Sequence, residues 1–240
     1  MKLFKFKLLN DVFYLVPFLL FGMVMGCNSN TTAPPVGNFS LSVQKATGPS
    51  FGIQSDTLSI DTVKIMLKNV ELFSDSSGEG EEHEGSEEIE TGPFVVNLNL
   101  NGSVNIIALT NIPAGTYNGV KFEIHRVYRS EEPLDSEFID STCGERGYSI
   151  IVKGSYLGNP FVFKSRKSFN QHVLFPAPIT VTNDGLINVT LSVDPFSWFV
   201  QNGNYIDPAN PENSYLINEL IRNSFGHCFR DDDHNGEHDH

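Results

Sequence analysis

The sequence predicts an all-β fold, an antiparallel β-sandwich with one C-terminal helix. Between residues 38 and 200, short runs rich in β-branched and aromatic residues alternate apolar with polar positions. Gly, Pro, Asn and Asp separate these runs, and no stretch of helical periodicity divides them. Consecutive strands are therefore expected to pair antiparallel in a sandwich or barrel. After residue 200, one segment repeats its apolar residues at helical spacing.

The strand runs follow one another along this whole region. The first, "NFSLSVQKA", places Phe39, Leu41 and Val43 on one face. In the second, "DTLSIDTVKIMLKNVELF", the alternation shifts phase near Asp61-Thr62, which predicts a bulge or a division into two strands. The later runs are "PFVVNLNLN", "TYNGVKFEIHRVYR", "YSIIVKGSYL", "PFVFKS", "QHVLFP", "ITVT" and "LINVTLSVD".

The helix is predicted from "NPENSYLINELIRNSFG". Asn210 suits the N-cap, Pro211 suits the first turn and Gly226 suits a C-terminal cap. An apolar stripe at helical spacing comprises Leu216, Ile217, Leu220, Ile221 and Phe225. We expect this stripe to dock on the sandwich, over Trp198 and Phe199.

The N-terminus is typical of a bacterial signal peptide. Three lysines precede an apolar stretch over residues 12–25, which is shorter than the roughly 20 residues of a membrane span. The stretch ends in Val24-Met25-Gly26-Cys27, which resembles a lipobox. The resemblance implies cleavage before Cys27, a diacylglycerol on its thiol and acylation of the new amine. An ordinary secretory signal with a chance cysteine is the alternative.

This N-terminus also predicts where the chain resides and how it is organised. Several acyl chains, at about 0.8 kcal/mol per buried methylene, anchor a protein stably to a membrane. The residue after the cysteine is Asn28 rather than an aspartate, which by analogy with better-known lipoproteins favours the outer membrane of the cell envelope. Residues 1–26 are then the signal peptide, and residues 27–37 a disordered tether. The sandwich occupies residues 38–200.

The rest of the chain divides into a helix region and a tail. We expect the helix region over residues 201–228 and an acidic, His-rich tail over residues 229–240.

The charge of the chain excludes some partners. The net charge is −13, and removal of residues 1–26 would take away three lysines and one aspartate and leave about −15. Bulk electrostatics then disfavour nucleic acid and anionic lipid. The expected contact with the membrane is the lipid anchor alone, and divalent cations are the natural small partners. A protein or glycan partner is not identified by the sequence.

The cysteines predict one disulfide. If Cys27 carries lipid, Cys143 and Cys228 remain in an oxidising compartment. Their bridge would close a loop of about 85 residues and contribute about 4 kcal/mol in the chain-entropy model. The alternative is two unpaired buried thiols.

An acidic insertion interrupts the strands at "SDSSGEGEEHEGSEEIETG", residues 74–92. We expect a solvated, disordered loop, because the segment has too few apolar residues to fold. A weak divalent-cation site at Glu81, Glu82, His83 and Glu84 is the alternative.

The final residues, "RDDDHNGEHDH", leave three interpretations open. In an EF-hand-like register, Asp231, Asp233 and Asn235 take positions 1, 3 and 5, Glu237 offers its carbonyl at 7 and Asp239 takes 9. Gly236 supplies the sharp turn, and the chain ends before the bidentate Glu of position 12. This register predicts Ca²⁺ as the candidate ion.

The second interpretation of the tail uses nitrogen ligands. His234, His238 and His240 would suit Zn, Cu or Ni. The third is a solvated tail without a ligand.

One part of the chain resembles a known family. The segments "VKIMLKNVELF" and "FVVNLNLNGSVNIIALTNIPAGTYNGVKFEI" resemble the uncharacterised bacterial lipoprotein domain family numbered 4382 among domains of unknown function. The resemblance covers roughly residues 38–194, and its sharp motif is the "PAGTY" turn at 113–117. Such turns also begin strands in transthyretin-like and other immunoglobulin-like sandwiches. The resemblance implies a β-sandwich lipoprotein and little about activity.

Catalytic signatures are missing from the sequence. It contains no HExxH, GxSxG, P-loop or dinucleotide fingerprint, and His125 and His172 fall in predicted strands as packing or surface residues. We therefore expect no enzyme but a structural, adhesive or ligand-binding module of the cell envelope. A metal-binding protein that uses the tail is the first alternative, and a hydrolase with a dispersed site is the second.

Overall fold

The computed structural model describes residues 38–46, 57–74, 86–90, 92–131, 135–142 and 144–239. Within them lie β1 (Phe39–Lys45), β2 (Leu58–Phe73), β3 (Ser86–Glu90), β4 (Phe94–Asn97), β5 (Asn105–Thr110), β6 (Gly115–Ile124), β7 (Ile150–Tyr156), β8 (Asn159–Ser165), β9 (Phe169–Val181), β10 (Ile187–Val193), β11 (Val200–Gln201), β12 (Asn204–Tyr205), β13 (His227–Arg230) and the helix α1 (Ser214–Arg222). The 3₁₀ turns are Ser136–Phe138, Ser197–Phe199 and Pro211–Asn213. The predicted signal peptide, the lipobox and the tether lie outside the described residues. The predicted all-β fold with one short helix is confirmed.

Two sheets form the sandwich. The smaller sheet has the order β13-β10-β1-β5, and the larger sheet has the order β8-β7-β2-β6-β9, with β3 and β4 also along β2. All pairs in these sheets are antiparallel except β1 with β10, which run parallel with Phe39 opposite Ile187. The expected antiparallel pairing concerned consecutive strands, whereas β1 and β10 are distant in sequence and no hairpin sets their direction.

The long strand β2 organises the larger sheet. Its register against β7 shifts between Ile60 and Thr62, so the phase change in the sequence is a bulge within one strand. A second shift, against β6, surrounds Asn69, whose φ is +51°. Met66 N donates to Ser149 O and Met66 O accepts from His125 N. The same edge of β2 therefore pairs first with β7 and then with β6.

The acidic insertion is partly ordered as a strand. Residues 86–90 form β3, antiparallel to β2, with Ser86 opposite Phe73. The expectation of a disordered loop over residues 74–92 is wrong for this part, because main-chain hydrogen bonds to a free strand edge do not need apolar side chains. The candidate ligands Glu81, Glu82, His83 and Glu84 lie outside the described residues.

One apolar cluster joins the inner faces of both sheets and the helix. Ile217 and Ile221 of α1 are fully buried in it, and Leu216 and Leu220 are partly buried against it. Trp198 is fully buried, and its ring centroid lies 6.2 Å from that of Phe225. The predicted docking of the helical stripe over Trp198 and Phe199 is confirmed.

The helix begins as predicted but ends earlier. The Asn210 side chain accepts a hydrogen bond from Glu212 N at 3.0 Å and caps the 3₁₀ turn that leads into α1. The expected cap at Gly226 is wrong, since α1 ends at Arg222. The hydroxyl of Ser224 accepts from Trp198 Nε1 at 2.7 Å and donates to Ile221 O at 2.7 Å, which closes the last turn.

No helix among the described residues is long and apolar enough to cross a membrane.

Candidate functional site: the C-terminal loop on the smaller sheet

The C-terminal segment folds onto the smaller sheet. β13 pairs antiparallel with β10, and residues 231–239, here called the C-terminal loop, follow it. Asp239 N donates to Arg230 O at 2.9 Å, which closes the loop on the end of β13. The predicted tail boundary at residue 229 therefore cuts through a strand. A wholly solvated tail is wrong for residues 231–239, because Asp231 is fully buried.

A buried polar network supports this loop from beneath. Ser40 and Ser42 of β1 donate to Asn188 Oδ1 of β10 at 2.7 and 2.8 Å. Asn188 Nδ2 donates to Thr190 Oγ1 at 3.0 Å and to Asp231 O at 2.8 Å. All five residues are at most 1% exposed. Because these bonds join β1, β10 and the start of the C-terminal loop, the network fixes the loop on the sheet.

The carboxylate of Asp231 is the unusual group in this network. Its Oδ2 accepts from Thr190 Oγ1 at 2.7 Å, and both oxygens lie 3.2 Å from Gly236 N. Within the described part of the chain, no ion pair includes this side chain. Burying a carboxylate beside neutral donors alone costs free energy, and a nearby cation would offset that cost.

Gly236 is required where the loop meets β1. Its φ is +82°, and a Cβ at this position would stand 2.2 Å from Gln44 Oε1. Gln44 Nε2 donates to Gly236 O at 2.9 Å, while Gln44 Oε1 is buried without a hydrogen-bond partner. The loop therefore contacts β1 closely at a residue that only glycine can occupy without a shift.

The predicted oxygen ligands lie in one loop but bond to its backbone. Asp233 Oδ1 accepts from Asn235 N at 3.1 Å, and Asn235 Oδ1 accepts from Glu237 N at 2.6 Å. Asp239 Oδ2 accepts from Asp232 N at 2.6 Å. Side-chain oxygens that accept from main-chain N–H groups two residues on are Asx-turns, which hold a tight loop in shape. The residues of the predicted EF-hand-like pattern are therefore ordered, but their side-chain oxygens are not placed around one point.

The two described histidines of the predicted nitrogen-ligand set have different surroundings. His234 has a φ of +57°, and its Nε2 is buried without a hydrogen-bond partner. His238 is exposed, with its ring centroid 6.2 Å from that of Phe229. Among residues 38–239 as described, no group of three or more His, Cys, Asp or Glu side chains is placed to hold a metal ion. His240 lies outside the described residues.

Of the two cysteines predicted to form a disulfide, only Cys228 is among the described residues. Cys228 in β13 is buried with its sulfur 3.8 Å from Leu174 O, and burial raises the pKa of its thiol to about 12. Cys143 lies outside the described residues, so the bond between them stays a prediction.

A second polar cluster surrounds His125 on the outer face of the larger sheet. The ring is 5% exposed, with Nδ1 at 3.0 Å from Glu123 Oε1 and Nε2 at 2.8 Å from Glu131 Oε2. Burial alone would raise the pKa of Glu131, but hydrogen bonds from Lys68, from Tyr128 N and from His125 lower it overall. The expectation of a satisfied packing histidine is confirmed for His125.

Ion pairs fasten the segment after His125 to the same face. Lys64 Nζ lies 2.6 Å from Asp135 Oδ2 and 2.7 Å from Glu137 Oε2, and Lys153 also pairs with Glu137. Hydrogen bonds from Lys153 and then Lys64 lower the pKa of Glu137 to about 2. These pairs hold the 3₁₀ turn at residues 136–138 against β2 and β7.

The sequence contained a signal for the buried network. Its members are Ser40, Ser42, Asn188 and Thr190, which alternate along their strands with apolar core residues. All four are small and uncharged, whereas the outer face of β2 carries Lys64 and Lys68. Small uncharged polar residues throughout one face indicate that another polar segment covers it.

Comparison with known proteins adds no relative. No family model, no curated protein and no solved structure matches the chain. The resemblance to the lipoprotein domain family therefore stays a prediction.

Proposed function

We propose that this chain is a non-enzymatic, lipid-anchored β-sandwich module of the bacterial cell envelope, with a structural, adhesive or ligand-binding role at the outer membrane. The acylated Cys27 is its membrane anchor, and the sandwich performs the structural, adhesive or ligand-binding role.

One observation carries the non-enzymatic part of this proposal. His125 between two glutamates is the most enzyme-like arrangement described, but carboxylates occupy both of its ring nitrogens. Glu131 also accepts from Lys68 Nζ at 2.8 Å and from Tyr128 N at 2.8 Å. A general base needs a free position within hydrogen-bond reach of its substrate. The cluster instead supports a role in fastening the segment after β6 to the sheet.

Lipidation tests the anchor. The full chain, produced in a lipoprotein-processing bacterium fed an alkyne fatty acid, is expected to take up the label and to partition into detergent. Cys27→Ser should lose both properties, while Cys228→Ser, a matched change at a buried thiol, should keep them. Labelling that survives Cys27→Ser would contradict the proposal.

A divalent-cation site in the C-terminal loop is the second candidate function, and Asp231 favours it. Its buried carboxylate has only neutral partners, and a cation beside it would offset the cost of burying the charge. The donors that the loop offers are oxygens of Asp231, Asp233, Asn235 and Asp239 and the carbonyl of Glu237, a set that suits Ca²⁺ better than Zn²⁺. When bound, the ion would supply positive charge that ties the loop together.

Calorimetric titration tests this candidate. We expect Ca²⁺ to bind with a Kd of about 0.1–1 mM, the range of extracellular calcium modules. Truncation after Arg230 should abolish the heat and Asp233→Asn should weaken it, whereas Asp184→Asn, an exposed aspartate outside the loop, should not change it. Heat with Zn²⁺ alone would point to His234 and His238 instead. A chain that binds neither ion would leave Asp231 as a structural residue of the buried network and remove the candidate.

A further inference from the structure

We propose that a groove between α1 and the start of β9 binds an acidic saccharide, a sugar ring that carries a carboxylate. The groove has a volume of about 370 Å³. One wall is the segment Lys167–Asn170, and the other is the face of α1 with Tyr215, Glu219 and Arg222. This inference rests on the ligand-binding role proposed above and assigns that role a place and a ligand class.

Buried polar bonds fix both walls of the groove. Ser165 Oγ donates to Asn218 Oδ1 at 2.6 Å and accepts from Lys167 N at 3.2 Å, which ties α1 to the turn before β9. At the other end of the helix, Gln171 Nε2 donates to Arg222 O at 3.0 Å. Since the two walls are clamped at both ends, the groove is preformed, and a ligand loses little affinity to the ordering of the protein.

Two basic side chains at the groove have no ion-pair partner among the described residues. Lys167 and Arg222 are exposed, and within the described residues no ion pair includes either of them or Glu219. By contrast, Lys64 and Lys68 are both paired with carboxylates. Two exposed cations without an ion pair at one groove provide local positive charge, which favours an anionic group on a ligand bound there.

The remaining side chains select a sugar over a simple anion. Tyr215 is 72% exposed at the rim, and its ring offers a flat apolar face with a polar edge. Asn170 is exposed on the opposite wall and offers both a donor and an acceptor. The Glu219 carboxylate can accept hydrogen bonds from the hydroxyls of a sugar ring. A ring with hydroxyls and one carboxylate is complementary to this set, with its carboxylate toward Lys167 and Arg222.

Calorimetry on the full chain in a non-ionic detergent tests the site. The probes are tetramers of galacturonic, glucuronic and mannuronic acid, the corresponding monomers and a neutral galactose tetramer. At least one uronate is expected to bind, more weakly as NaCl is raised, and the neutral tetramer is expected to give no heat. A tetramer that binds while its monomer does not would identify a polymer as the source of the ligand, and equal binding would identify the free sugar acid.

Variants locate the site. Lys167→Gln and Arg222→Gln should each weaken binding about fivefold, the scale of one exposed charge contact. Tyr215→Ala should weaken it at least as much. Arg129→Gln is a matched change at an exposed arginine outside the groove and should leave the Kd unchanged. The fluorescence of the buried Trp198 verifies that each variant is folded.

Three results would overturn the inference. They are the absence of heat with every uronate, equal binding of the neutral tetramer, and a Kd that Lys167→Gln, Arg222→Gln and Tyr215→Ala all leave unchanged. Failure here while Cys27-dependent lipidation persists would remove the groove site alone. Failure of lipidation with uronate binding intact would remove the anchor alone.

Discussion

The substitution Gly236→Ala tests whether the C-terminal loop is docked on β1 as described. Gly236 has a φ of +82°, which costs an alanine about 1–2 kcal/mol. Its new Cβ would also stand 2.2 Å from Gln44 Oε1, so Gln44 must move and lose its bond to Gly236 O. An unsatisfied buried amide costs about 1–3 kcal/mol more. We therefore expect a total loss of about 2–5 kcal/mol in the free energy of unfolding.

Gly158→Ala is the matched control for this substitution. Gly158 has a φ of +77° in the turn between β7 and β8, and a Cβ there meets nothing within 4 Å. The conformational cost is therefore similar, about 1–2 kcal/mol, and no contact is lost. The difference between the two substitutions isolates the docking of the loop on Gln44.

Guanidinium unfolding of a chain that begins at Asn28, followed by the fluorescence of Trp198, measures both losses. This tryptophan is the one in the sequence and is fully buried. In a Gln44→Ala background, Gly236→Ala should cost only what Gly158→Ala costs, because the clashing side chain is gone. Equal losses for Gly236→Ala and Gly158→Ala in the native background would refute the docking of the loop.

Three further predictions address the helix, the thiol and the charged cluster. Ile221→Ala should lower the free energy of unfolding by about 2–5 kcal/mol. Leu216→Ala, at a half-buried position of the same helix, should lower it by less. Equal losses in guanidinium unfolding would contradict the description of which face of α1 is buried. The pKa of the Cys228 thiol is raised to about 12, so this thiol should resist iodoacetamide at pH 8 until the chain is unfolded. Mass spectrometry of the chain, unfolded without a reductant, measures this alkylation. If Cys228 is not alkylated even then, a disulfide is present instead. Because the pKa of Glu137 in the folded chain is about 2, below its ordinary 4.5, its stabilising effect is complete above pH 4.5 and is lost as the pH falls toward 2. The stability difference between the native chain and Glu137→Gln should therefore shrink over that range, and a difference independent of pH would count against the ion pairs with Lys64 and Lys153.

Local patterns in the sequence were enough to predict many elements of the fold, although not β3, β5 or β13. Alternation marks β1 and β10, the phase change at Asp61-Thr62 marks the bulge in β2, and Asn210 marks the start of the helical region. Each of these features depends on residues adjacent along the chain, so its physical cause is contained in a short window. The candidate calcium register of the C-terminal loop is also a local pattern, and the structure orders it as a loop that Asx-turns hold in shape.

The tertiary structure alone decided which polar residues are buried and which surfaces form sites. Ser40 and Asn188 are 148 positions apart, yet they share a hydrogen bond because β1 and β10 pair in parallel. The burial of Asp231 follows from that pairing, and no local pattern distinguishes it from the exposed Asp233 two residues later. The groove beside Tyr215 likewise requires α1 to lie against the start of β9. Such features depend on contacts between distant segments, whose partners a single sequence does not specify, because alternation fixes the two faces of a strand but not what covers them.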